Sequence, residues 1–143
     1  MKRTRLIHIA PELPPKVGGV ADYTVILSQR LVEGSDEAVE PVLIHAGKEP
    51  ADKIETDFPI KNLSGRCSSA DLAETIEGIY RDSDIPVVVL LEYSGYGYSK
   101  NGAPLWLARG LQRECGVEGI ALISIFHELY ATGPPWTSAF WLS

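Results

Sequence analysis

The sequence predicts an α/β fold: a three-layer sandwich in which helices cover both faces of a mostly parallel sheet. Three observations lead there. Short runs rich in Val, Ile and Leu alternate with amphipathic segments, which is the order of βαβ units. Those runs lack a clean apolar–polar alternation, as strands buried on both faces do. The length of 143 residues, 45% hydrophobic and 22% charged, suits one domain with a substantial core. The expected architecture is Rossmann-like.

The strand runs are residues 5–10, 41–46, 86–91 and 119–126, each a compact apolar block. Between the first two, residues 20–32 place Val20, Tyr23, Leu27 and Leu31 at helical spacing, and Gly34 stops the pattern. The polar, breaker-rich stretch 47–65 holds one short expected strand at 60–63. Residues 69–80 form a second helix, with Leu72, Ile76, Ile79 and Tyr80 as its stripe. Ser68 and Ser69 are its candidate caps, and Asp71 and Glu74 sit in its first turn, where the helix dipole favours anions. A third helix, 104–115, opens on Pro104 and closes on Gly116. After Pro134-Pro135 the pattern predicts the start of a further helix, with Trp136, Phe140 and Trp141 as its apolar side. Its lack of a cap or polar tail gives the expectation of a truncated domain and of self-association through those aromatics.

Composition excludes several classes. Thirteen Lys and Arg against nineteen Asp and Glu give a net charge of −6, which argues against a general nucleic-acid binder. Two cysteines, Cys67 and Cys115, make no disulfide framework and no zinc or redox spacing, so both are expected as free thiols. No apolar run approaches the ~20 residues of a membrane span. The basic start, Lys2-Arg3-Thr4-Arg5, is followed by too short an apolar stretch for a signal peptide, so a cytoplasmic location is expected. Peripheral membrane contact stays open.

Ligands of open parallel sheets bind beyond the carboxyl ends of the strands, which selects three loops. In the first, prolines stiffen residues 11–17 and Gly18-Gly19 open onto a helix, letting main-chain amides approach an anion. The spacing matches neither G-x-G-x-x-G nor a P-loop, and Gly-Gly is also a common device that merely turns the chain. The second loop, 92–102, carries Tyr93, Tyr96 and Tyr98 among glycines and suits a polar organic ligand such as a sugar, although the rings could equally pack on the sheet edge. Gly97 and Gly102 have the step of a Walker A motif without its Lys and Ser/Thr. The third is His127-Glu128, where Ala131 replaces the second histidine of a zincin. His127 could hydrogen-bond a substrate or simply nearby main chain. His8 and His45 lie within strand runs and read as core residues. No G-x-S-x-G elbow occurs, and a glycosidase pair drawn from Glu12, Glu92 and Glu128 would rest on assumed geometry.

Together the loops resemble a known family. Pro14-Pro15-Lys16-Val17-Gly18-Gly19-Val20-Ala21-Asp22-Tyr23-Thr24 resembles the Pro-Pro-x-x-Gly-Gly-Val loop and first helix of GT-B retaining glycosyltransferases of family four (group 1). Phe126-His127-Glu128-Leu129-Tyr130 is similar to the family's His-Glu loop, and Tyr96-Gly97-Tyr98 with Gly102-Ala103-Pro104-Leu105-Trp106-Leu107 to a segment found in part of it. The resemblance implies a single, incomplete N-terminal Rossmann-like domain that mainly binds the acceptor. The donor-binding domain, with its pair of spaced glutamates, has no counterpart here. By the same resemblance Gly18, Gly19 and Lys16 would meet the donor phosphates and the acceptor, and His127 the transferring sugar. Glu12, Tyr96, Tyr98 and Glu128 are candidate acceptor contacts. The implied ligands are a nucleotide sugar and a carbohydrate or lipid-linked acceptor, with no metal or other cofactor. The chain alone is expected to be inactive.

The rival expectation is a stand-alone ligand-binding or regulatory α/β module. A flavodoxin-like carrier would show a Ser/Thr-rich phosphate loop after the first strand, and a response regulator acidic residues there. Residues 11–17 offer neither, Glu12 apart.

Overall fold

The computed structural model describes residues 2–116 and 119–128. The expected terminal helix with Trp136, Phe140 and Trp141 lies outside them. The elements run β1 (Thr4–Ala10), α1 (Gly19–Gly34), β2 (Val39–His45), β3 (Ile60–Asn62), α2 (Ser69–Arg81), β4 (Val87–Tyr93), α3 (Gly95–Tyr98), α4 (Leu105–Cys115) and β5 (Ile120–Phe126). The five strands form one sheet in the order β3-β2-β1-β4-β5, with every pair parallel. This is the α/β three-layer architecture expected from the sequence.

Alternate residues of the strands serve the two faces. Ile7, Ile9, Ile44, Val87, Val89 and Leu91 join Leu72 and Ile76 of α2 and Leu107 and Leu111 of α4 in the larger core. The opposite face carries Ala10 and Leu43, packed with Leu13 and Val25, and lies beneath α1. Strand order reverses between β1 and β4: the chain leaves β1 toward β2 and leaves β4 toward β5. Their carboxyl ends therefore open a crevice where the two outgoing loops diverge.

Four details depart from the expectations. The face of α1 turned to the sheet is Ala21, Thr24 and Ser28, all buried, whereas Tyr23 is 41% exposed. Small side chains bring the helix close to the sheet and displace the large apolar residues to its flanks. Gly34 is the last residue of α1 and not its stop; Asp36 and Glu37, both at positive φ, turn the chain instead. Pro104 caps α4 from outside its first turn. Strand β5 keeps only Ile120 buried, because among the described residues it is the sheet's edge. Helix α2 follows expectation: Ser68 Oγ accepts from Asp71 N at 3.1 Å.

Both cysteines are free, and they differ in setting. Cys67 is exposed, while burial and the neighbouring Glu114 carboxylate push the Cys115 thiol up to about 11. Only thiolate reacts with an alkylating agent. Iodoacetamide at about pH 8 should therefore label Cys67 well before Cys115, as read by peptide mass mapping. Equal labelling would show that the end of α4 does not pack as described.

Candidate functional site

A cleft of about 470 Å³ lies at the carboxyl edge of the sheet, lined by Glu12, Gly19, Val20, Tyr23, Ile125 and His127. Its walls are the loop after β1, the first turn of α1 and the end of β5. The first and third loops singled out from the sequence thus meet in one place.

Gly18 and Gly19 have different reasons to be glycine. Gly18 has φ 175°, extended backbone open to any residue, but a Cβ there would collide with the Glu12 carboxylate. That carboxylate is the far end of a flexible side chain, so a larger residue would displace Glu12 and not the fold. Gly19 has nothing within 4 Å of the place a Cβ would take, and it faces the cleft. The fold does not need a glycine at that position.

Among the described residues the earliest α1 amide with a partner is that of Asp22, which donates to Gly18 O at 3.2 Å. Among the described residues no side chain caps the helix start. The amides of Gly19, Val20 and Ala21 and the positive end of the helix dipole are left to the cleft. Beside them Lys16 Nζ pairs with Glu12 Oε2 at 3.2 Å, with the lysine half exposed. The cleft thus offers donors at the helix start, an acceptor in Glu12 and apolar wall from Val20, Tyr23 and Ile125; Lys16 lines a neighbouring pocket and reaches the cleft through its ion pair with Glu12. That mixture suits a ligand with both anionic and hydroxyl groups.

His127 is held from inside the core. Its Nε2 lies 2.6 Å from Glu92 Oε2, its main-chain N donates to Tyr93 O at 2.9 Å, and Tyr23 meets the ring edge-on at 5.3 Å. Glu92 has no exposed surface, and its second oxygen lies 2.6 Å from His8 Nε2. His8 Nδ1 in turn lies 2.7 Å from Ser28 Oγ on α1. A buried carboxylate requires such partners, because its desolvation is otherwise too costly. His8 is thus a core residue, as expected, but one wired to the cleft, and Glu92 belongs to β4 and not to the tyrosine loop.

That second loop is corrected by the structure. Residues 95–98 form the short α3, in which Tyr98 is fully buried and donates to Glu92 O at 2.7 Å. Burial pushes its hydroxyl well above the usual tyrosine range, with Glu92 and Tyr93 adding to the effect. Tyr98 is structural and offers no surface to a ligand. Gly97 gives room to Pro11, whose Cβ would lie 2.6 Å from an added methyl. Glu128 accepts from Ser94 Oγ at 3.0 Å and Tyr96 N at 3.2 Å, so it fastens α3 to the end of β5. Tyr96 is half-buried, and its carbonyl accepts from Lys48 Nζ. Glu12, Gly19 and His127 come together, with Gly18 beneath Glu12 and Lys16 paired to Glu12 from outside the cleft; Tyr96 and Glu128 form a neighbouring layer that does not line it.

Sequence reasoning missed Ser28 altogether and the pairing of His8 with Glu92. The available signal was a histidine and a glutamate inside otherwise apolar central strands, which must find partners. A larger groove of about 670 Å³ lies on the α4 side, lined by residues such as Leu105, Leu111, Leu122 and Phe126. It lacks the convergent polar groups of the smaller cleft. Among the described residues no cluster of three or more His, Cys, Asp or Glu is arranged to hold a metal ion, and no helix is long and apolar enough to cross a membrane.

His45, at the end of β2, is buried, and its Nδ1 accepts from Gly47 N at 3.2 Å. Burial lowers its pKa below the ordinary 6.5, Lys16 reinforces the shift, and Glu12 opposes it. The unfolded chain therefore takes up this proton at a higher pH than the fold does. The contribution to stability is full above pH 6.5 and declines as pH falls below it. His45→Asn, whose Oδ1 can still accept from Gly47, should flatten the fall of melting temperature over that acid range. An unchanged slope would contradict the assignment. Comparison with protein-family models, with curated proteins and with solved structures returns no match to this chain.

Proposed function

We propose that this chain is the acceptor-side domain of a retaining glycosyltransferase, the half that receives a carbohydrate or lipid-linked acceptor and faces a nucleotide sugar. The observation that carries this reading is Gly19: a glycine the fold does not require, at a bare helix start, across one cleft from a fixed histidine. In transfer from a nucleotide sugar, negative charge builds on the departing diphosphate. Amides fixed at a helix start stabilise it with no reorganisation at the moment of reaction. Lys16 adds a mobile positive charge, while Glu12 and His127 can hold sugar hydroxyls. The orientation and exclusion of water that transfer demands come from closing a second domain on this edge. The reading therefore assigns this chain binding and positioning, with the donor grip elsewhere. A nucleotide-sugar substrate, a donor domain and a cytosolic setting belong to the same reading.

Gly19→Ala tests it. Alanine at an open helical position should leave stability unchanged or raise it by up to about 1 kcal/mol. In a titration with uridine diphosphate glucose followed by amide NMR, the unaltered chain should shift at residues 19–21 and 127. The variant should lose those shifts. Shifts confined to another surface, or unaffected by the substitution, would favour a binding module unrelated to glycosyl transfer.

A further inference from the structure

We propose that Glu92 is a positioning residue that fixes the tautomer of His127, so that the cleft-side histidine presents Nδ1 as a hydrogen-bond acceptor to a sugar hydroxyl. The inference rests on the reading of the cleft above and names what His127 does there.

An ionised carboxylate only accepts hydrogen bonds. Glu92 is completely buried, and each of its oxygens lies 2.6 Å from an imidazole Nε2, one of His8 and one of His127. With Glu92 as the carboxylate, both Nε2 atoms carry hydrogen. In neutral imidazole the other nitrogen is an acceptor, so His8 Nδ1 takes the hydroxyl hydrogen of Ser28, 2.7 Å away. His127 has the same tautomer, but among the described residues nothing stands at its Nδ1 as Ser28 stands at that of His8, and its side chain is 23% exposed at the cleft wall.

The two histidines are therefore mirror images about one carboxylate. The inner one shows what the outer one is arranged to receive: Ser28 supplies His8 with an aliphatic hydroxyl, and a sugar supplies the same group. An anionic phosphate oxygen carries no hydrogen and cannot meet a neutral acceptor nitrogen. The geometry thus divides the cleft, with phosphate at the amides of α1 and a hydroxyl at His127. Ser28 lies on α1, the helix whose first turn forms the other wall, so one helix both lines the cleft and anchors the far end of the chain of bonds.

Imidazole 15N NMR on the full chain, at a pH above the imidazole range, reads this directly and needs no ligand. Both His8 and His127 should show a protonated Nε2 and an unprotonated Nδ1. Glu92→Gln keeps the size of the side chain and leaves the bond from Tyr98, which uses the main-chain oxygen of residue 92. Its amide must donate to one ring where the carboxylate accepted from both, so one histidine should invert its tautomer. His127 protonated on Nδ1 in the unaltered chain would overturn the proposal. So would a Glu92→Gln variant in which neither ring changes. Should that variant fail to fold, the spectrum of the unaltered chain still decides. Because no ligand enters, a negative result here leaves the nucleotide-sugar titration standing, and failure of that titration leaves the tautomers as measured.

Discussion

A carboxylate cut off from water needs hydrogen-bond donors on both oxygens, and Glu92 finds both in histidine rings. The rest of the candidate site follows from that requirement. It couples β1 to β4 at the point where strand order reverses, it draws α1 down through Ser28, and it sets the ring that forms the cleft wall. Close approach of α1 is in turn compatible only with small residues on its inner face, which is where Ala21, Thr24 and Ser28 lie. A ring fixed from within is a better recognition group than one free to rotate, since no rotamer freedom is lost when a ligand arrives.

The fold was legible because its signals are local and repeated. Four apolar runs and three helical patterns mark a parallel sheet, and each appears as an element within a few residues of its expected place. The loops of the cleft were also legible, since glycine at a helix start and histidine after a strand lie where open sheets bind ligands. What the pattern could not show was which polar residues pair across long sequence distance. Eighty-four positions separate His8 from Glu92, and only the register of β1 on β4 brings them together.

The tyrosine-rich loop shows the opposite failure. Three tyrosines among glycines look alike in sequence, yet Tyr98 is core, Tyr93 packs on Phe126 with ring centroids 5.2 Å apart, and Tyr96 sits in a turn fastened by Glu128 and Lys48. Composition cannot distinguish an aromatic that binds from one that fills space. In the same way Gly18 and Gly19 are adjacent and identical in sequence, and only their surroundings separate a glycine lying against the Glu12 carboxylate from one with open space around it.

The central claim is that one carboxylate physically couples the core to the cleft histidine. A double-mutant cycle of Glu92→Ala and His127→Ala, each of which removes the bond between the two side chains, tests it most directly when measured by chemical denaturation. Groups sharing a buried bond should show a coupling of at least ~0.5 kcal/mol. Strict additivity of the two substitutions would mean that His127 is not held by Glu92, and the account of the cleft would lose its foundation.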